Sequence, residues 1–339
     1  MKILLVKTSS LGDVLHTLPA VTDLSRVHPD WELHWLLEPA YASMAALHPF
    51  VRRVWPFSLR DLKGHWWHAP QALRQLRREL RREGFDRVLD SQGLVKSALL
   101  ARLPGVPVLG LDRASAREPM ACRSYSRTAA VSWELPATER NRRLFAALLD
   151  YAKPQGRPEA QLQVPPAGAA RLFLEDCQPF VWGFHGSARA NKLWPPEHWA
   201  RLAEQLALRD LHLVMPAGNA AERERVEALA QRYGNVRLLP PLPVTDILTL
   251  LPYARAFVGV DTGFSYLASA VDLRGVTLYG PTADEQSPYA PWQQTVCSAR
   301  ACATACSRQG CVVSTPFSAC MTAIAPEQVL AALIPLLED

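Results

Sequence analysis

The first seventeen residues, MKILLVKTSSLGDVLHT, set a cation and a carboxylate at the two ends of a small polar turn. The apolar run Ile3–Val6 breaks into Lys7-Thr8-Ser9-Ser10-Leu11-Gly12-Asp13, and a helical pattern follows. A strand, a tight loop and a helix start aim backbone N–H groups at an anion, and Gly12 removes the Cβ that would hold a ligand away. Asp13 then emerges beyond the carboxyl end of a strand, where open α/β sheets bind their ligands. Such a set can recognise a charged substrate and place a carboxylate close to the reacting atoms. The competing use of Asp13 is structural, as a helix N-cap.

A second set lies in the other half. His185-Gly186-Ser187, Pro216-Ala217-Gly218, Asp261-Thr262-Gly263 and Gly280-Pro281-Thr282 each follow an apolar run. Small residues at helix starts along one sheet edge suit a nucleotide and its phosphates. Neither GxGxxG nor GxxxxGK[ST] occurs, which argues against dinucleotide and P-loop sites. A third set is the cysteines. Cys122 and Cys177 stand alone and are expected to be buried small residues. Cys297, Cys302, Cys306, Cys311 and Cys320 fall within 24 residues, spaced C-x4-C-x3-C-x4-C-x8-C. That spacing is not a pair of CxxC knuckles.

The elements that must position these groups alternate. Strands are expected at Ile3–Val6, Glu32–Leu37, Val51–Trp55, Val88–Asp90 and Val106–Leu111, and helices at Val14–Val27, Tyr41–His48, Pro70–Glu83, from Leu94, and at Asn141–Leu149. In Pro70–Glu83, Leu73, Leu76 and Leu80 share one face while Arg74, Arg77, Arg78, Arg81 and Arg82 lie mostly on others. The arginines form either a solvated face or a contact for anionic lipid headgroups. After the Pro-rich stretch Lys153–Pro179, strands at Phe180–Phe184, Leu211–Met215, Ala256–Val260 and Val276–Tyr279 alternate with helices at Pro195–Leu208, Ala220–Tyr233, Val244–Leu251, Phe264–Val271 and Pro326–Leu337. Strict alternation means parallel sheets with crossover helices. The expected organisation is α/β with two doubly wound domains facing a central cleft: 1–152, a linker over 153–179, and 180–339.

With 339 residues the chain is long for one core and sufficient for two. Only four apolar residues separate Lys2 from Lys7, too few for a signal-peptide core, and no run approaches the ~20 apolar residues of a membrane helix. A cytoplasmic protein is expected, and in that compartment clustered cysteines point to metal or redox chemistry before disulfides. Residues 1–150 carry 22 Lys and Arg against 15 Asp and Glu, the remainder 15 against 17. The basic half implies an anionic partner. It lacks the interleaved aromatics of a stacking platform, so nucleic acid is not expected.

Lys7-Thr8-Ser9-Ser10-Leu11-Gly12-Asp13-Val14-Leu15-His16, Asp90-Ser91-Gln92-Gly93-Leu94-Val95-Lys96-Ser97, Ala116-Arg117-Glu118-Pro119, Lys192-Leu193-Trp194-Pro195-Pro196-Glu197-His198-Trp199, Val260-Asp261-Thr262-Gly263 and Tyr279-Gly280-Pro281-Thr282 run in order over nearly the whole chain. Together they resemble the ADP-heptose-using lipopolysaccharide heptosyltransferases of glycosyltransferase family 9, type I rather than type II. The resemblance implies a GT-B fold of two Rossmann-like domains, with the acceptor in the first and the donor in the second. It implies inverting transfer of L-glycero-D-manno-heptose from ADP-heptose to the Kdo of Kdo2-lipid A, with no cofactor required. It also implies a cytoplasmic enzyme peripheral on the inner membrane and its anionic surface. A family 9 enzyme acting on a heptosylated core or a protein, and a non-catalytic nucleotide-sugar-binding protein, are the alternatives.

By the same resemblance Asp13 is the general base. Burial would raise its pKa, with Lys7 working the other way. Lys192 stabilises the departing diphosphate, unless it is only a surface lysine ahead of a helix. Ser187, Thr262 and Gly263 contact phosphates. Asp261 is either a helix N-cap or an acceptor for the donor sugar's hydroxyls. Glu222 accepts from a ribose hydroxyl or merely complements a helix dipole. Ser10, Gly12, Arg60, Lys63, Lys96, Arg117 and Arg140 are the acceptor-side residues, each cation otherwise a solvated charge. The chain departs from the type I pattern at Tyr266, which stands in place of a His and cannot carry positive charge. Cys302, Cys306, Cys311 and Cys320 could hold a structural Zn or Fe, or be reduced thiols in a loop.

Overall fold

The computed structural model describes residues 1–59, 67, 69–282, 290, 292–298 and 317–338. The chain divides into two compact units, Met1–Gln163 and Val164–Asp339. The division falls inside the Pro-rich stretch 153–179, part of which, Ala169–Cys177, is wound into 3₁₀ turns.

Unit 1 runs β1 (Lys2–Val6), α1 (Leu11–Leu15), α2 (Leu18–Val27), β2 (Glu32–Leu37), α3 (Pro39–Ala46), β3 (Val51–Pro56), α4 (Ala69–Glu83), β4 (Arg87–Asp90), α5 (Val95–Ala101), β5 (Val108–Leu111), β6 (Arg127–Ala129) and α6 (Ala137–Leu148). Unit 2 runs β7 (Phe180–Phe184), α7 (Pro196–Ala207), β8 (His212–Met215), α8 (Ala220–Arg232), β9 (Val236–Leu238), α9 (Val244–Leu250), β10 (Ala256–Val260), α10 (Gly263–Ala270), β11 (Gly275–Tyr279), β12 (Gln293–Cys297), α11 (Ala319–Thr322) and α12 (Pro326–Glu338).

Among the described residues each unit holds one six-stranded, all-parallel sheet. The orders are β3-β2-β1-β4-β5-β6 and β12-β11-β10-β7-β8-β9. Read from the first strand of each unit, these are the same Rossmann order. The order therefore reverses between β1 and β4 in unit 1 and between β7 and β10 in unit 2, and ligands of such sheets bind at that reversal. The central strands are continuously apolar because helices cover both sheet faces: β7 and β10 are buried end to end. In unit 1, Arg142 on α6 adds a buried ion pair to Asp23 on α2 at 2.6 Å, and also donates to the carbonyls of Pro154 and Gly156.

One departure bears on the site. The helix expected over Val14–Val27 is two helices, α1 and α2, with Pro19 in the first turn of the second. Proline supplies no N–H to continue a helix but is tolerated in a first turn. Asp13 consequently belongs to a short helix of its own rather than to the loop ahead of a long one.

Candidate functional sites at the two sheet reversals

In unit 1 the loops after β1 and β4 meet. Gln92, buried after β4, clamps the first loop: its Oε1 accepts the Thr8 N–H at 2.7 Å and its Nε2 donates to the Ser9 carbonyl at 2.7 Å. The buried Asp90 carboxylate shapes the second loop, accepting from the Gln92 N–H at 2.9 Å, Ser97 Oγ at 2.8 Å and Tyr125 Oη at 2.8 Å. Burial pushes its pKa up against those donors. The hydrogen bonds locate it without a full counter-charge.

This scaffold holds Asp13. Ser10, not Asp13, is the N-cap of α1; the Asp13 carboxylate reaches back to accept the Ser10 N–H at 3.0 Å. Its other oxygen lies 3.1 Å from Arg117 Nη2 and 3.8 Å from Lys7 Nζ. Lys7 is itself buried and donates to the Ser91 carbonyl at 3.0 Å. Burial lowers the Lys7 pKa, with Asp13 opposing. Burial pushes Asp13 up, but the Lys7 ammonium and the Arg117 guanidinium, helped by the Ser10 N–H, prevail and hold it below the ordinary carboxylate value. The rise expected from burial is thus overturned by the two cations. Lys7, Asp13, Gln92, Arg117, Trp133 and Arg140 line one small cavity, where the Arg140 guanidinium stacks 3.5 Å from the Trp133 ring centroid.

Of the other acceptor-side residues, Ser10 is exposed and Gly12 sits in the first turn of α1. Lys96 is not among the residues lining that cavity; its ammonium is 4.0 Å from Glu38. Arg60 and Lys63 lie outside the described residues.

In unit 2 the loops after β7 and β10 form the equivalent pair. Lys192, on a 3₁₀ turn (Ala190–Lys192) well before α7, reaches Asp261 at the end of β10. Asp261 also accepts from Tyr266 Oη and Thr282 Oγ1. Asp261 is not the helix N-cap considered above. Thr262 is the cap residue of α10, and its hydroxyl makes no capping bond. Burial pushes Asp261 up, and Lys192 first among its partners carries it below the ordinary value. Tyr266 is buried, and burial together with the neighbouring Tyr279 and Asp261 raises its pKa far out of reach. In place of an imidazole the chain therefore presents a neutral hydroxyl that donates to Asp261.

A cavity of about 390 Å³ opens beside this pair, within the range of small-ligand sites. Ser187, Gly218, Glu222 and Thr262 contribute polar groups, and Pro240, Pro241, Leu242, Val244 and Ile247 an apolar wall. Glu222 Oε2 accepts the Gly218 N–H at 2.7 Å, while the side chain of Asn219, the N-cap of α8, accepts the Glu222 N–H at 3.0 Å. Glu222 also overlies Gly186, where a Cβ would come within 2.5 Å of its carboxylate. A side chain at position 186 would displace the Glu222 carboxylate from this place. His185 Nε2 donates to the Pro216 carbonyl, 3.1 Å away, and burial lowers its pKa to about 4. The apolar wall was not anticipated. Its signal was Leu239-Pro240-Pro241-Leu242-Pro243, a run that fits neither helix nor strand and follows an edge strand.

Cys302, Cys306 and Cys311 lie outside the described residues. Cys320 is buried in α11 with its thiol 3.3 Å from Ser318 Oγ. Among the described residues no group of three His, Cys, Asp or Glu could hold a metal ion. Cys177 is buried as expected, but Cys122 is only partly so.

The sequence model of glycosyltransferase family 9 (heptosyltransferase) matches residues 73–315. Lipopolysaccharide heptosyltransferase 1 of Pseudomonas aeruginosa is 42% identical over 83% of this chain and 79% of its own length. The structure of the Escherichia coli heptosyltransferase WaaC with ADP superposes with a TM-score of 0.82 at 32% identity, covering 99% of this chain and 100% of that one. The same protein with ADP-2-deoxy-2-fluoro heptose gives a TM-score of 0.78 at 34% identity, covering 98% and 99%.

Proposed function

The chain belongs to glycosyltransferase family 9, the heptosyltransferases, and from that premise we propose that it moves L-glycero-D-manno-heptose from ADP-heptose to a Kdo hydroxyl of Kdo2-lipid A, with inversion. The observation that carries the reading is Asp13: an ionised carboxylate in a small cavity, positioned by a clamped loop and bordered by Lys7, Arg117 and Arg140. The identity to lipopolysaccharide heptosyltransferase 1 and the likeness to a structure holding an ADP-heptose analogue support the substrate pair.

In this reading the acceptor hydroxyl attacks the anomeric carbon of the donor heptose from the face opposite the diphosphate. The carbon–oxygen bond to ADP breaks as the new glycosidic bond forms, and Asp13 takes the hydroxyl proton. The displaced ADP gains negative charge, which Lys192 and the N-terminus of α10 neutralise. The apolar wall receives the adenine, Glu222 a ribose hydroxyl, and Ser187, Thr262 and Gly263 the phosphates. Arg117 and Arg140, with Arg60, Lys63 and Lys96, receive the acceptor's phosphates and carboxylates as fork or point charges. No metal is required, because the cation at the diphosphate is a side chain; a structural Zn or Fe at Cys302, Cys306, Cys311 and Cys320 would stand apart from the chemistry. Among the described residues no helix is long and apolar enough to cross a membrane. The enzyme would work in the cytoplasm, against the inner-membrane surface where a lipid acceptor is presented.

The test is transfer from ADP-heptose to purified Kdo2-lipid A, wild type beside Asp13→Ala. Product with the wild type alone, and ADP binding retained in both, supports the reading. Product only with a heptosylated core or a protein acceptor would replace the acceptor and keep the transfer.

A further inference from the structure

We propose that the outer face of α4 docks the enzyme onto anionic lipid headgroups. The proposal extends the membrane-surface part of the functional reading by naming the surface responsible. Leu76 and Leu80 are buried and Leu73 is half-buried, in the same core cluster as Trp55 and Phe85. Arg74, Arg77, Arg78, Arg81 and Arg82 are all exposed. At 3.6 residues per turn the five arginines span an arc of about 140° on the side turned away from the leucines.

Among the described residues no carboxylate is paired with that arc, although carboxylates are near at hand: Glu79 accepts from Gln75, and Glu83 serves Lys2 and Arg53. Like charges three and four residues apart repel and weaken a helix. The repulsion is relieved when an anionic surface covers them.

The position of the helix favours lipid over other polyanions. β3 ends at the carboxyl edge of the sheet, the edge that carries Asp13, so α4 begins at that edge and runs back from it for roughly 22 Å. Trp67, exposed at 58%, stands just ahead of the helix start. An indole beside a basic stripe is the combination that seats at a headgroup boundary. For nucleic acid, by contrast, the face offers no row of aromatic rings on which bases could stack.

The experiment uses the full chain without donor or acceptor, so that it reads docking independently of transfer. Binding is measured by co-sedimentation with vesicles containing phosphatidylglycerol and with vesicles of phosphatidylcholine alone. Arg74→Gln, Arg78→Gln and Arg82→Gln are combined in one variant. A control variant combines Arg201→Gln, Arg209→Gln and Arg232→Gln on exposed parts of unit 2. Each basic side chain near an anionic surface contributes about a fivefold factor, so the α4 variant should bind the anionic vesicles roughly 100-fold more weakly. The control should change little, and added salt should weaken the wild type. Helical circular dichroism and thermal melting verify that the α4 variant is folded, since Gln keeps the helix propensity of Arg. Turnover on detergent-dispersed acceptor should be unchanged in that variant. Equal losses in both variants would overturn the proposal, leaving only diffuse net charge. So would failure of the wild type to prefer anionic vesicles, or tighter binding to RNA or duplex DNA at the same salt. Vesicle docking with no transfer activity would reject the functional reading and leave this one standing.

Discussion

Asp13 and Asp261 border the same kind of strand-order reversal from opposite sides: Asp13 follows the first strand of unit 1, Asp261 the fourth strand of unit 2. Each follows a buried strand at the reversal of the same strand order, each is ion-paired to a lysine, and each is held below the ordinary carboxylate value. They differ in what is left over. Asp261 is surrounded by Lys192, Tyr266 and Thr282, and its side chain is 5% exposed. Asp13 accepts the Ser10 N–H, the Ser10 hydroxyl at 3.4 Å and one guanidinium, stands at 3.8 Å from its lysine, and is 19% exposed within a cavity. A carboxylate has about four acceptor positions. Three side-chain donors hold the buried Asp261, so its charge serves to fix Lys192. Asp13 is the more exposed of the two and lines a cavity, where in the proposed reaction a substrate hydroxyl would deliver its proton. The two carboxylates thus suit different parts in the proposed reaction, Asp261 as the group that positions Lys192 and Asp13 as the base.

The largest expected effect breaks the comparison at Asp13. Asp13→Asn preserves shape and the bond from the Ser10 N–H but cannot take a proton, and transfer should fall by ~10³-fold or more with ADP affinity unchanged. Asp261→Asn should cost less turnover and lower the melting temperature more. Equal turnover losses with undisturbed melting in both would end the proposed division of labour. Next comes Lys192→Met. It leaves Asp261 buried without its cation, which destabilises by about 3–5 kcal/mol, and it removes the charge at the departing diphosphate, worth ~10²-fold or more in turnover. Denaturant melts and single-turnover rates read the two losses separately, and an unaltered rate would exclude Lys192 from the chemistry.

The pH dependence sharpens the same contrast. Because Lys7 and Arg117 depress Asp13, its basic form persists into acid, and the acid limb of kcat/KM should lie below the ordinary carboxylate value. Arg117→Gln should move that limb upward in pH, as removal of one depressing cation requires. A limb that stays put would mean that another group titrates. Stability should fail earlier. His48 in unit 1 and His185 in unit 2 are both lowered to about 4 by burial. Between pH 6.5 and 4 the unfolded chain takes up protons that the folded imidazoles refuse, so stability declines as pH falls through that window, by roughly 3 kcal/mol for each at its end. Melting temperatures measured from pH 7 to 4 should drop accordingly, less so in His48→Gln.

How much of this the sequence carried follows from the physics of each element. The interior strands were legible because a parallel strand covered on both faces is an unbroken apolar run. The sheet-edge strands β6, β9 and β12 were not, since Arg127-Thr128-Ala129, Val236-Arg237-Leu238 and Gln293–Cys297 carry polar or exposed residues. At the sites the charged residues announced themselves, and Asp13, Arg117 and Arg140 do line one cavity. The groups that hold them did not. Gln92 is neutral, and only the folded loops reveal that its amide grips Thr8 and Ser9 across 83 and 84 positions of chain. Asp90 looked like the end of a strand and is the buried anchor of a loop. The enclosure of Asp261 was equally invisible, because Thr282 and Lys192 come to it from 21 and 69 positions away.

The smallest predicted effect tests whether Tyr266 merely holds Asp261 or reads the donor sugar. Tyr266→Phe removes the charge-assisted hydrogen bond to Asp261 and the contact with Tyr279 while leaving Lys192 and Thr282 in place, a loss of about 2 kcal/mol in stability. Because the ring is 7% exposed and its hydroxyl already donates to Asp261, the affinities for ADP and for ADP-heptose should fall together and only slightly. The ratio between them is the informative quantity. If ADP-heptose weakens tenfold while ADP is unaffected, Tyr266 touches the heptose, and its role is not confined to holding Asp261. If the ratio holds, the tyrosine acts through the carboxylate, and its missing positive charge is supplied at this reversal by Lys192.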